Sequence, residues 1–401
     1  MTSQFEQAFE QFCEAVAQGK LEDARNAQEM CWEAGGSLHQ AVAPLLKSAL
    51  CAVDVSTHFV GQLAVCYVSL ATLSQSLDPL AGRLAARHFL DAVLAAPNLP
   101  LTMAGAVSAG FRRVGRGVPR DAFEGFARAI QDGHVRRALH YALRIAATDG
   151  VSALHGLGLE LALQQLDTTG RRIVTQDALL RLSDALSDKG QESLAIALLT
   201  VDNLLAPGFP GMPKPYSRPT MAETGVFQLA VERPDHGMAL LSTIAACLRA
   251  RDEVPEEVYA HGLAQVEYMA HRAQPMPTGM FEFGDHTGGA YRAIWASKNE
   301  AEAEAAARSY LRARGPTHEF FADLTLFCSL ANTHWPDPDV FIVLAAAFDL
   351  CRFADLGKVS VSLANAAALQ ALRFGRLYVR QWGLRPLADS ALETKVRERV
   401  C

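Results

Sequence analysis

Apolar residues recur at steps of three and four along nearly all of the chain, the period of a helix that buries one face or all of itself. Asn299 with Glu302 three positions on reads as an N-cap with a supporting carboxylate. The Ala-rich run to Arg314 extends that helix, and Gly315-Pro316 ends it. Thr175 is placed to cap a helix through Leu186, and the Lys189-Gly190 turn opens another that closes near Ala206-Pro207-Gly208. From Val340 to Phe348 every residue is apolar, which predicts a central core helix with Asp339 at its cap. Alternation of period two is confined to fragments such as Lys358–Leu363. The pattern predicts an all-α fold of stacked antiparallel helix pairs, helical-repeat-like and in two lobes.

Two segments interrupt the helical period. Ala206–Gly225 holds Pro207, Pro210, Pro213, Pro215 and Pro219, so it reads as a linker or long loop between an N-terminal lobe (1–205) and a C-terminal lobe (226–401). Gln274–Gly289 gathers Phe281, Phe283, Asp285, His286, Gly288 and Gly289 into one loop, the better place for function. Two internal echoes also stand out. Gly19, Ala24, Gly36 and Leu38-His39 line up with Gly133, Ala138, Gly150 and Leu154-His155, as a helix, a glycine turn and a second helix repeated would require. Leu154-His155-Gly156-Leu157 likewise echoes Ala260-His261-Gly262-Leu263.

Composition narrows the class. With 401 residues, half of them hydrophobic and a fifth charged, the chain can bury a large core or two of them. The net charge of -6 is dispersed and no basic block occurs, so nucleic acid is not an expected partner. Val55–Leu77 carries too many polar side chains for a lipid-facing span, and Ala92–Phe111 is broken by Pro97 and Pro100, so no membrane partner is expected either. Glu6, Glu10 and Glu14 near the start, without a basic region, do not resemble a secretory signal. Eight cysteines without a CxxC pair read, except for Cys401, which is expected to be exposed, as small buried hydrophobes of a cytoplasmic protein. So apolar a chain suits a homodimer.

Candidate chemistry centres on the helix Pro255–Arg272. Steps of three and four put Glu257, His261, Gln265, Tyr268 and His271 on one side, and Tyr259, Leu263, Val266 and Ala270 on the other. Facing inward, the polar stripe would be a general acid/base set, with His261 or His271 as base and Tyr268 orienting a substrate, or part of a metal site; facing outward, it would be a solvated surface. His58 and His155 head apolar runs and are expected to be buried. His155 joins the catalytic candidates, while His58, His286, Trp295 and Trp335 are the expected substrate contacts, with Gly288-Gly289 as a lid. No HExxH, GxSxG, DxDxDG or GxxxxGK[ST] occurs, so no metal or other cofactor is assigned.

Leu154-His155-Gly156-Leu157 with the Ala/Leu helix after it, and the stretch Asp339–Arg352, resemble questin oxidase-like proteins, all-helical chains of similar length. The resemblance implies oxygenation of an aromatic polyketide-type substrate and carries over His155. After Pro338, where that family pattern has histidines, this chain has Leu344 and Ala347. Two functions are therefore expected. One is an oxidoreductase with an apolar interhelical pocket for a small hydrophobic molecule. The other is a helical-repeat scaffold that holds a peptide or protein partner.

Overall fold

A computed structural model describes residues 4–38, 40–42, 45, 58–95, 122–166, 170–185, 191–205, 218–233, 237–273, 292–297, 299–331 and 339–383. These are helical almost throughout, and no strand forms among them, so the fold is all-α. The helices are α1 (Gln4–Ala17), α2 (Leu21–Glu33), α3 (His58–Leu73), α4 (Pro79–Ala95), α5 (Ala122–Gln131), α6 (Val135–Thr148), α7 (Ser152–Gln164), α8 (Arg171–Ala185) and α9 (Gln191–Leu205). They continue as α10 (Glu223–Val231), α11 (Gly237–Ala250), α12 (Glu256–Arg272), α13 (Arg292–Ala296), α14 (Glu300–Arg314), α15 (His318–Ser329), α16 (Asp339–Asp355) and α17 (Val361–Trp382). None among the described residues is long and apolar enough to cross a membrane.

Contacts group the chain into two units. The first comprises Met1–Val68, Val93–Thr220 and Ala246–Val266; the second comprises Ser69–Ala92, Met221–Ala245 and Glu267–Cys401. Helices α3, α4, α11 and α12 contribute residues to both.

In the first unit α1 pairs with α2, and α5 pairs with α6. Helix α6 also packs on α7 and α9, while α8 packs on α7 and α9. Polar ties fix the registers. Asn203 of α9 donates to the Arg172 carbonyl of α8 at 2.9 Å, and Gln265 of α12 donates to the Leu163 carbonyl of α7 at 2.7 Å. Asp177, almost wholly buried, accepts from Arg249 Nε through both oxygens at 2.9 Å, and Arg249 Nη2 stands 2.7 Å from its Oδ2. A bidentate guanidinium–carboxylate pair of this kind supplies direction as well as energy.

The second unit is organised on α17, which packs against α16, α15, α14 and α10. Its core is aromatic: Phe89, Phe227, Phe320, Phe321, Phe341 and Phe348 are fully buried. Arginines lock α17 to the start of the next layer. Arg376 donates at 2.7 Å to Glu300 and to the carbonyls of Ile294 and Ser297, while Glu304 takes bonds from both Arg308 and Arg373.

Several expected boundaries are confirmed and others move. Asn299 caps α14, its side chain accepting from the Ala301 amide at 3.0 Å, and Gly315 ends that helix. Glu302 accepts from Ser297 Oγ at 2.8 Å, pinning the same turn. Thr175 is no cap: α8 begins at Arg171 after Gly170, and Thr175 is buried in the second turn. Lys358–Leu363 is a turn into α17, capped by Ser360, whose hydroxyl accepts from the Leu363 amide. The Pro-rich stretch before Arg218 and the loop from Gln274 lie outside the described residues.

Candidate functional site

The imidazoles singled out by sequence sit in different surroundings. His155 is completely buried on α7, with Nδ1 3.4 Å from the Gln176 amide nitrogen of α8. Gly158 makes this approach possible, because a Cβ there would stand 2.5 Å from that same nitrogen. His261 on α12 is half-buried, in the same unit. Farther along α12, in residues grouped with the second unit, Tyr268 accepts a hydrogen bond from Arg272, whose guanidinium also lies 5.4 Å from the ring centroid. His271 is 57 % exposed, 4.0 Å from the buried Glu267 carboxylate. Of the stripe as a whole, Glu257 and His271 meet solvent and Gln265 turns in to a main-chain carbonyl. Tyr259, Leu263, Val266 and Ala270 are buried on the opposite face.

The remaining candidates do not gather around these residues. Trp295 is buried in an aromatic cluster of the second unit, its ring centroid 5.8 Å from Phe320 and 6.0 Å from Phe327. His58 begins α3, but its side chain lies outside the described residues, as do His286 and Trp335 entirely. No group of three His, Cys, Asp or Glu side chains that would hold a metal forms among the described residues. Burial raises the Cys31 thiol to about 11 and pushes Cys328 and Cys351 well above the ordinary thiol range, which disfavours the reactive thiolate.

The Leu-His-Gly-Leu echo does not mark one unit used twice. In α7 the histidine is buried and Gly156 is exposed. In α12 the glycine is buried instead, so close to Leu163 that a Cβ would approach its side chain to 2.6 Å. The same letters fall on helices rotated differently toward their neighbours.

At the other echo the local geometry agrees at more positions than the glycines. Ala8-Phe9-Glu10-Gln11-Phe12 in α1 matches Ala122-Phe123-Glu124-Gly125-Phe126 in α5. The buried positions of α1 are Ala8, Phe12, Ala15 and Val16; those of α5 are Ala122, Phe126, Ala129 and Ile130, in the same order and spacing. The turns correspond as well. Gly19 (φ +67) donates to the Val16 carbonyl and Lys20 to that of Ala15; Gly133 (φ +70) donates to Ile130 and His134 to Ala129. This crossed pair of bonds needs a left-handed residue after the helix, hence glycine. Ala24 and Ala138 are then both fully buried on the returning helix. Where the hairpins differ, they compensate: Gln11 and Ala27 stand at the places of Gly125 and Tyr141, and the Tyr141 ring fills the space that a Cβ on Gly125 would occupy. The equivalence of Gly36 with Gly150 shifts by one, because α2 is one residue shorter than α6 and Gly35 (φ +86) takes the conformation of Gly150 (φ +90).

What these hairpins show to solvent differs. Residues 4–33 carry seven carboxylates against two cations, whereas 122–148 carry four arginines against two carboxylates. Around the turns, Glu14, Glu22 and Asp23 occupy the places of Arg128, Arg136 and Arg137, and all six are exposed. Val135, 49 % exposed, lies beside the arginines, and Phe123 also faces outward.

Compared with protein-family models, with curated proteins and with solved structures, the chain matches none.

Proposed function

We propose that the chain is a helical-repeat scaffold whose first unit holds a protein partner on its helix hairpins. The observation that carries this reading is the common plan of α1–α2 and α5–α6, with matching core positions and turns beneath surfaces of opposite charge. A core held constant under a varied surface is how stacked helical units keep a frame while changing what they bind. Val135 exposed beside Arg136 and Arg137, and Phe123 exposed at the opposite end of α5, supply the apolar and charged contacts common at protein interfaces.

The reading is tested by placing a photo-crosslinking phenylalanine analogue at Phe123 in living cells, with Leu356 of the second unit as the comparison site. Leu356 is also well exposed. Discrete protein adducts at position 123 and few at 356 are expected. Equal labelling, or none, would count against the scaffold.

The buried His155–Gln176 pair favours a second reading: an oxidoreductase acting on a small hydrophobic or aromatic substrate, as the questin oxidase-like resemblance implies. An imidazole in apolar surroundings, oriented by an amide, is suited to proton transfer where water is excluded.

A further inference from the structure

We propose that the partner of this scaffold is a second copy of the chain, the acidic tip of α1–α2 on one molecule docking against the basic tip of α5–α6 on the next. The inference rests on the scaffold reading and adds the occupant.

Three observations carry it. First, the charge exchange falls at matching places around the two turns, Glu14 against Arg128, Glu22 against Arg136 and Asp23 against Arg137. Two surfaces of opposite sign are electrostatically complementary to each other.

Second, two of the three arginines of the basic tip run against their own helix, whereas Arg128 in the last turn of α5 is favourably placed. Glu22 and Asp23 lie in the first turn of α2, where carboxylates meet the positive end of the helix dipole and stabilise it. Arg136 and Arg137 lie in the first turn of α6, where cations meet the same positive end and cost about 0.3–1 kcal/mol each. Among the described residues no carboxylate pairs with Arg128, Arg136 or Arg137 to offset this. An arrangement that weakens a helix is retained where an outside anion relieves it.

Third, the acidic tip is only partly neutralised within its own hairpin. Arg25 pairs with Glu22 at 2.6 Å and Gln18 donates to Glu14, while Asp23 projects freely beside them. Val135 on the basic tip and Leu21 at the corresponding place on the acidic one give the contact an apolar centre. Since each copy carries one tip of each sign, the contact joins unlike surfaces, head-to-tail when used once and as a two-fold pair when used reciprocally.

The test is sedimentation of the full chain at about 0.05 M and 0.5 M salt, where screening lengths differ several-fold. The wild type should self-associate at low salt and weaken at least tenfold at high salt. Reversing the acidic tip (Glu14→Arg, Glu22→Arg, Asp23→Arg) or the basic tip (Arg128→Glu, Arg136→Glu, Arg137→Glu) should each give single chains. An equimolar mixture of the two variants should associate again, because each supplies the sign the other lost. The milder pair Asp23→Lys and Arg137→Glu gives the same readout if a triple variant fails to fold. A wild type that remains a single chain, or reversals that leave association unchanged, overturns the proposal. If single chains persist while Phe123 still labels a different protein, self-docking fails and the scaffold stands; if Phe123 labels nothing, both fail.

Discussion

Replacing Phe126 with alanine is expected to destabilise the chain by about 3–5 kcal/mol, and Phe12→Ala by a similar amount. Both rings are fully buried, at the same place in their respective hairpins. Each loses the transfer free energy of a large aromatic group and leaves a cavity that neighbouring alanines cannot fill, since Ala8, Ala15, Ala122 and Ala129 have no side chain to extend into it. The loss is a large share of a typical total stability of about 5–15 kcal/mol. Urea unfolding should show the midpoint falling with little change in slope. The exposed Phe123, one ring earlier in the same helix, serves as the internal control: its alanine variant should change stability by less than about 1 kcal/mol.

Arg376→Ala should cost about 3 kcal/mol, and Arg376→Lys should recover little of it. The guanidinium is buried, and it joins α17 to α13, α14 and the link between them through Glu300 and the Ile294 and Ser297 carbonyls. Alanine leaves those two carbonyls without their donor and the carboxylate without its cation, and an unmade bond to a buried acceptor costs more than a made one contributes. Because Glu300 is about one-third exposed (31 %), water recovers part of its share. Lysine keeps the charge but has no planar fork, so it cannot address a carboxylate and two carbonyls together. Melting curves of the two variants should therefore lie close together and below the wild type.

The helical class was legible because burial of helices imposes one period, and that period runs through the chain. Caps were legible where side-chain and backbone chemistry coincide, as at Asn299, but not at Thr175, where a buried threonine inside α8 has the same letter as a cap. The hairpin correspondence was visible in part. Gly19, Gly133, Ala24 and Ala138 sit in the turn and just after it, where only small or left-handed residues fit. The shared Ala-Phe-Glu-x-Phe was equally present in the sequence, but in a chain so rich in alanine its meaning comes from burial, which shows Phe12 and Phe126 inward and Phe123 outward. The exchange of Gln11 and Ala27 for Gly125 and Tyr141 joins positions 16 apart on two helices, and only their packing reveals it. Histidine placement was the least legible feature. An imidazole one step from a glycine turns wholly inward or only half so with the rotation of its helix, as His155 and His261 demonstrate.

Native mass spectrometry of the protein isolated gently from its own cells distinguishes a chain that holds protein from one that holds a small substrate. Assemblies at multiples of the chain mass, dissociated by salt and with no stoichiometric small molecule, are expected. A single chain carrying one small apolar compound, released when His155 is replaced by leucine, would contradict the scaffold reading.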